Sequence, residues 1–137
     1  MALTHLVDTS VLTRLQVAQV RGAVEPLASA GVLARTSISD LEIGYSARNA
    51  REWDSLVGAL EVLPLVEIQV QHVGRARQVQ RLLASRSQRG RKIPDLLIAA
   101  AAEELKLAVL HYDADFDRIA RATGQRCEWV VPAGTVP

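Results

Sequence analysis

The chain has 137 residues, 49% of them hydrophobic and 23% charged, with a net charge of +1. That length suits one domain, residues 1–137, with a core of its own, and the balance of apolar to charged residues excludes a disordered chain. No apolar run nears the ~20 residues of a membrane span, and one cysteine, Cys127, cannot close an internal disulfide, so the cytoplasm is the expected compartment.

"MALTHLVDTS" meets Asp8 before any long apolar segment and lacks a charged n-region, so a signal peptide is not expected there. Instead "THLVDTS" is expected to be a short buried strand whose aspartate and hydroxyl residues cap the next element. "VLTRLQVAQV" and "VEPLASAG" have helical spacing, with Gly31 as a stop. "VLARTS" is a second strand, and "SISDLEIGYSA" and "AREWDSLVGALE" are two helices. A long helix is expected over 66–90, carrying an apolar stripe. The strongest helix is "KIPDLLIAAAAEELK", where Pro94 suits the first helical position and Asp95 the positive first turn. "LAVLHY" is a strand, "DADFDRIARATG" a helix ending at Gly124, and "CEWVVP" an edge strand. Strands alternating with helices imply an α/β fold, a short parallel sheet flanked by helices.

Ligands in open parallel sheets bind at the carboxyl ends of the strands. Asp8 and Asp113 end two strands there, Asp95 starts a helix, and Glu42 is expected in the first turn of another. Each has an ordinary explanation too. Asp8 and Asp113 suit Asx caps, Asp95 complements a helix dipole, and Ser39-Asp40-Leu41-Glu42 fits a capping box. Carboxylates crowded together without interleaved Lys or Arg raise each other's pKa or hold a cation. Oxygen ligands select Mg²⁺ or Mn²⁺ over zinc, for which His5, His72, His111 and Cys127 lack the spacing. "DADFD" does not open an EF-hand, which needs Gly and Glu where Arg118 and Gly124 stand. Nor does it fit an aspartyl-nucleophile phosphatase, since no lysine follows it.

Charge is unevenly spread. No acidic residue lies between Glu67 and Asp95, whereas Arg75, Arg77, Arg81, Arg86, Arg89, Arg91 and Lys92 do. Such a run is either a solvated helix face or a contact for phosphates.

Four segments, "LVDTSVL", "SISDLEIGYSA", "IPDLLIAAAA" and "LHYDADFDRIA", together resemble the PIN-domain nucleases, and within them the VapC-type toxins of toxin–antitoxin pairs. Order and spacing agree over essentially the whole chain. The resemblance implies a PIN-like three-layer fold and a Mg²⁺-dependent endoribonuclease, with Mn²⁺ able to substitute. It places Asp8, Glu42, Asp95 and Asp113 at the family's acidic positions, Asp115 as a supporting metal ligand, and Thr9 and Ser10 as hydroxyl support. Asp117 matches no such position and reads as a solvated helix-start charge. His111-Tyr112 stands where many relatives have Thr or Ser, leaving His111 as either a substrate contact or a buried histidine. Arg14, Arg86, Arg89, Arg91 and Lys92 are candidate RNA contacts. The implied partners are structured RNA, a VapB-type antitoxin whose C-terminal segment covers the groove, and a second copy of the chain. Apolar stripes at residues 10–19 and 38–60 are candidate surfaces for them, or core. A catalytically silent RNA- or protein-binding module is the alternative, disfavoured by the presence of all four acids. A receiver-type signalling domain fails because neither Lys92 nor Lys106 follows a late strand.

Overall fold

The computed structural model describes residues 2–88 and 92–137. Its elements run β1 His5–Val7, α1 Thr9–Leu12, α2 Ala18–Ser29, β2 Leu33–Thr36, α3 Ser37–Gly44, α4 Ala50–Gly58, a 3-10 turn at Ala59–Val62, β3 Leu65–Val66, α5 Val70–Ser85, α6 Ile93–Leu105, β4 Ala108–His111, α7 Asp115–Thr123 and β5 Cys127–Trp129. The strands form one parallel sheet in the order β3-β2-β1-β4-β5.

Alternate residues of the central strands supply two cores, one on each face. Leu6, Ala34 and Val109 pack against α5, α6 and α7 through Ala76, Val79, Leu83, Ile98, Phe116 and Ile119. Val7, Leu33 and Leu110 pack against α1 and α2 through Val11, Leu12, Val20 and Val24. A strand buried on both faces needs a near-continuous apolar run, which is why "HLV", "LART" and "AVLH" are short and carry little charge. The result is helices on both sides of a parallel sheet, the α/β arrangement the strand–helix alternation implied and the three layers the resemblance implied.

The elements depart from expectation in three places. The helix expected over 11–20 is only the single turn α1, and the chain turns again before α2, which runs through Pro26 to Ser29. The long helix expected over 66–90 loses Val66 to β3, a two-residue edge strand with Leu65 exposed, and α5 starts only at Val70. Finally, α3 is capped by Thr36, whose hydroxyl accepts from the Ser39 amide, and not through a capping box at Ser39. Glu42 therefore lies in the second turn of α3 and is free to point elsewhere.

Two glycines matter to the frame. Gly124 ends α7 with φ +77, a left-handed conformation that side chains other than Gly rarely adopt. At Gly44 a Cβ would collide with the indole nitrogen of Trp53, so glycine allows α3 and α4 to meet there.

Candidate metal centre

β1 lies between β2 and β4, so the carboxyl ends of these three parallel strands open at one edge of the sheet. Val7 pairs with Leu110, and the Asp8 amide donates to the Leu110 carbonyl at 2.9 Å. That register carries Asp8 and the residues after His111 to the same edge. Ser10 joins the two connections: its amide donates to Asp8 Oδ2 at 3.0 Å, and its hydroxyl accepts from the Tyr112 amide at 2.8 Å. Asp8 thus caps α1, as an Asx cap should, while its side chain stays in the crevice.

Glu42 arrives from α3. Thr9 donates its hydroxyl to Glu42 Oε1 at 2.6 Å and also lies 2.9 Å from the Ser39 hydroxyl. The hydroxyl pair holds Glu42 over the crevice, a support that belongs to Thr9 and to the fully buried Ser39 together. Asp95 comes from the first turn of α6, and Asp113 and Asp115 from the β4–α7 connection. Asp8, Thr9, Ser10, Thr13, Glu42, Lys92, Asp95 and Asp113 line one open depression of about 200 Å³. The four acids expected at the site are therefore brought together, with Thr9 and Ser10 supporting them.

Within this group Asp95, Asp113 and Asp115 each offer an oxygen within 4.8 Å of the others. Asp95 is 6% exposed and its Oδ2 accepts no hydrogen bond from any described residue, although a buried carboxylate oxygen normally has a donor. Burial, then the charge of Asp8, push the Asp95 carboxyl up to about 7, with Asp113 and Asp115 adding to the rise and Lys92 opposing it. Burial also raises the Asp8 carboxyl against the lowering effect of its Ser10 hydrogen bonds, and Glu42 and Asp113 push it further. For Asp113 burial works upward too, but the hydrogen bond from Lys92 and that from the Asp115 amide win, and the net shift is downward. An all-oxygen, charge-rich set with a buried, unpartnered oxygen fits a hard divalent cation and offers no soft ligand for zinc.

The basic candidates divide. Lys92 does not face outward toward a polyanion: its ammonium stands 2.6 Å from Asp113 Oδ2, 3.3 Å from Asp115 Oδ2 and 3.5 Å from Asp95 Oδ2. Burial lowers the ammonium's pKa, but these carboxylates outweigh it and shift it upward. Arg14 is turned inward, donating to the Ser10 carbonyl at 2.6 Å and the Pro137 carbonyl at 2.8 Å while its guanidinium lies 4.8 Å from the centre of the Tyr112 ring. Arg86 is exposed at the C-terminal end of α5, and Arg89 and Arg91 lie outside the described residues. Arg75 is paired with Glu103 of α6 at 2.7 Å, so the acid-free run meets acids supplied by another helix.

In "HYDADFDRIA", Asp117 takes a role the sequence did not suggest, and His111 takes the second of the two it left open. Asp117 is half-buried, not solvated, and accepts from Trp129 Nε1 at 3.0 Å, tying α7 to β5. His111 is fully buried, with its ring between Phe116 and Trp129 at 5.0 and 4.9 Å, so it is a core histidine and not a substrate contact. Its Nδ1 accepts the Asp113 amide at 3.3 Å, which fixes the start of the acidic loop, and burial lowers its pKa. Arg118, which donates to Asp115 Oδ1 at 2.8 Å, was also missed, although its spacing of three residues from Asp115 on a helix was readable.

Comparison with known proteins agrees with this geometry. Residues 5–122 match the PIN domain. The chain is 65% identical over 136 residues to Ribonuclease VapC51 of Mycobacterium tuberculosis, covering 99% of each chain. It is 43% identical to Ribonuclease VapC21 of the same organism, covering 98% of this chain and 99% of that one. Among solved structures, the DNA-bound VapBC of Salmonella typhimurium contains a chain with TM-score 0.77 and 20% identity, covering 94% of this chain and 99% of that chain. VapBC2 of Rickettsia felis, bound to a promoter DNA fragment, gives 0.76 at 17% identity over the same shares. With its acids gathered at the carboxyl edge of a five-stranded parallel sheet and its match running through nearly every element, the chain belongs to the PIN domain family.

Proposed function

We propose that the chain is a Mg²⁺-dependent endoribonuclease acting as the toxin of a toxin–antitoxin pair on structured RNA, with Mn²⁺ able to replace Mg²⁺. The observation that carries the reading is the Asp95 oxygen, buried and without a hydrogen-bond donor, in a mouth where Asp8, Glu42, Asp95, Asp113 and Asp115 converge. The names of the relatives at 65% and 43% identity support the ribonuclease part of it.

In this reading Asp8, Asp95 and Asp113 hold the ion and Asp115 supports it. A bound divalent cation supplies the positive charge that activates water and stabilises the oxyanions of phosphodiester cleavage. The protein's own part is orientation. Ser10 holds Asp8, the Thr9–Ser39 hydroxyl pair holds Glu42, and Arg118 holds Asp115. Such support commonly matters nearly as much as the ligands. Arg77, Arg81 and Arg86 are exposed along α5 and offer phosphate contacts. An antitoxin and a second copy of the chain are the partners, and exposed Leu41, Tyr45 and Trp53 on α3 and α4 provide apolar surface for one of them. No helix among the described residues is long and apolar enough to cross a membrane, consistent with a cytoplasmic toxin.

The test is incubation of the purified protein with structured RNAs and Mg²⁺, beside Asp8→Asn and Asp95→Asn variants. Cleavage by the wild type and its loss in both variants is expected. Equal cleavage by all three proteins would sink the metal-nuclease reading, and no cleavage by any of them would favour a silent binding module.

A further inference from the structure

Among the described residues that line the acidic depression, Lys92 is the one basic group. Three carboxylates present the same oxygen to it. Asp113 Oδ1 accepts the Asp115 amide at 2.9 Å, which leaves Oδ2 for Lys92 at 2.6 Å. Asp115 Oδ1 accepts from Arg118 at 2.8 Å, which leaves Oδ2 for Lys92 at 3.3 Å. Asp95 Oδ2 has no hydrogen-bond donor and faces Lys92 at 3.5 Å. These are also the three side chains able to bring one oxygen each within 4.8 Å of the others. An ammonium is a compact point charge, so its place among three Oδ2 atoms is the place a small cation would take.

We propose that Lys92 is a tethered counter-cation which a divalent ion must displace from Asp95, Asp113 and Asp115, so that this lysine sets the affinity of the site for metal. The inference rests on the metal-dependent reading above. Displacement is open to the side chain. Its backbone is held at the N-cap of α6, three residues before Asp95, while the side chain itself is 56% exposed and can swing into water without repacking. The ammonium in place relieves the mutual repulsion of the acids. Removing it leaves them more negative and without a competitor.

The experiment compares wild type, Lys92→Met, Lys92→Arg and Asp95→Asn by Mn²⁺ calorimetry and by thermal melting with EDTA or Mn²⁺. Losing one competing charge at this partly exposed site should tighten Mn²⁺ binding by roughly tenfold in Lys92→Met. That variant should also melt lower than wild type in EDTA and gain more on adding Mn²⁺, whereas Lys92→Arg should stay near wild type. Equal or weaker Mn²⁺ binding in Lys92→Met, with wild-type binding still lost in Asp95→Asn, would overturn this inference and leave the metal reading intact. No Mn²⁺ binding by any of the proteins would overturn both.

Discussion

The two ends of α6 carry acids in opposite circumstances. At the C-terminal end, each acid has a partner of its own. Glu103 takes two hydrogen bonds from Arg75, at 2.7 and 3.1 Å, and Glu104 takes one from His72 at 2.8 Å. His72 is itself fixed, since its Nδ1 accepts the Gln69 amide and its other nitrogen must then be the donor. At the N-terminal end, Asp95 is more deeply buried than either glutamate, yet it shares a single lysine with Asp113 and Asp115. Acids that are singly satisfied on an exposed surface fasten α5 to α6. Acids that are buried, crowded and undersupplied with donors carry a stability cost that makes sense where a cation is to be bound.

The comparison is broken most directly by removing one charge at each end. Asp95→Asn should lower RNA cleavage by at least about a thousandfold, because the substitution strips a charged ligand from the ion. Glu103→Gln should leave cleavage within about twofold, since it lies outside the machinery. A single-turnover assay on both variants decides it, and similar losses in the two would mean that the two ends do not differ in function.

Metal-free stability gives the next effect. Asp95 titrates near 7 in the folded protein against about 4 in the unfolded chain. The folded state therefore keeps a proton that the unfolded state releases, and the stability this confers is full below about pH 4 and lost as pH rises toward 7. Urea unfolding in EDTA at pH 5 and pH 7.5 should show wild type losing on the order of 1–3 kcal/mol relative to Asp95→Asn over that interval. Parallel pH profiles for the two proteins would contradict the perturbed carboxyl.

How far the sequence reached follows the same physics. Strands β1, β2 and β4 were legible because burial on both faces forces apolar runs, and Pro94 with Asp95 marked the start of α6. The edge strand β3 was not, since an exposed Leu65 and a half-buried Val66 carry no pattern and the helix expected from Val66 overran the second of them. The meeting of Asp8, Glu42, Asp95 and Asp113 was anticipated because strand ends in a parallel sheet share an edge. Lys92, read as a candidate RNA contact, lies instead among the acids. Its spacing of three from Asp95 was visible in "KIPD", but its reach to Asp113 and Asp115 depends on β4 lying beside the start of α6. Asp117 was misread for a similar reason, as its partner Trp129 sits on another element.

A smaller effect tests how much of the site's order comes from hydroxyl support. Thr9→Val keeps the shape of the residue but removes the donor to Glu42 and the link to Ser39. Glu42 is exposed and would be free to leave the mouth, so cleavage should fall about tenfold with little change in melting temperature. A fall as large as that of Asp95→Asn would make Thr9 part of the chemistry and not of the scaffold.

The smallest effect belongs to the far end of α6. Arg75→Ala removes both hydrogen bonds to Glu103, but the pair is partly exposed, with side chains at 39% and 29%. Water and salt screen such a pair, so the loss should be about 0.5–1 kcal/mol in urea unfolding and should shrink further in high salt. Cleavage should be unchanged in rate, because Arg75 is already neutralised by Glu103 and is not among the arginines open to a phosphate. If Arg75→Ala instead weakened RNA binding without changing stability, the Arg75–Glu103 pair would have to open in the presence of RNA, and the C-terminal end of α6 would join the substrate surface.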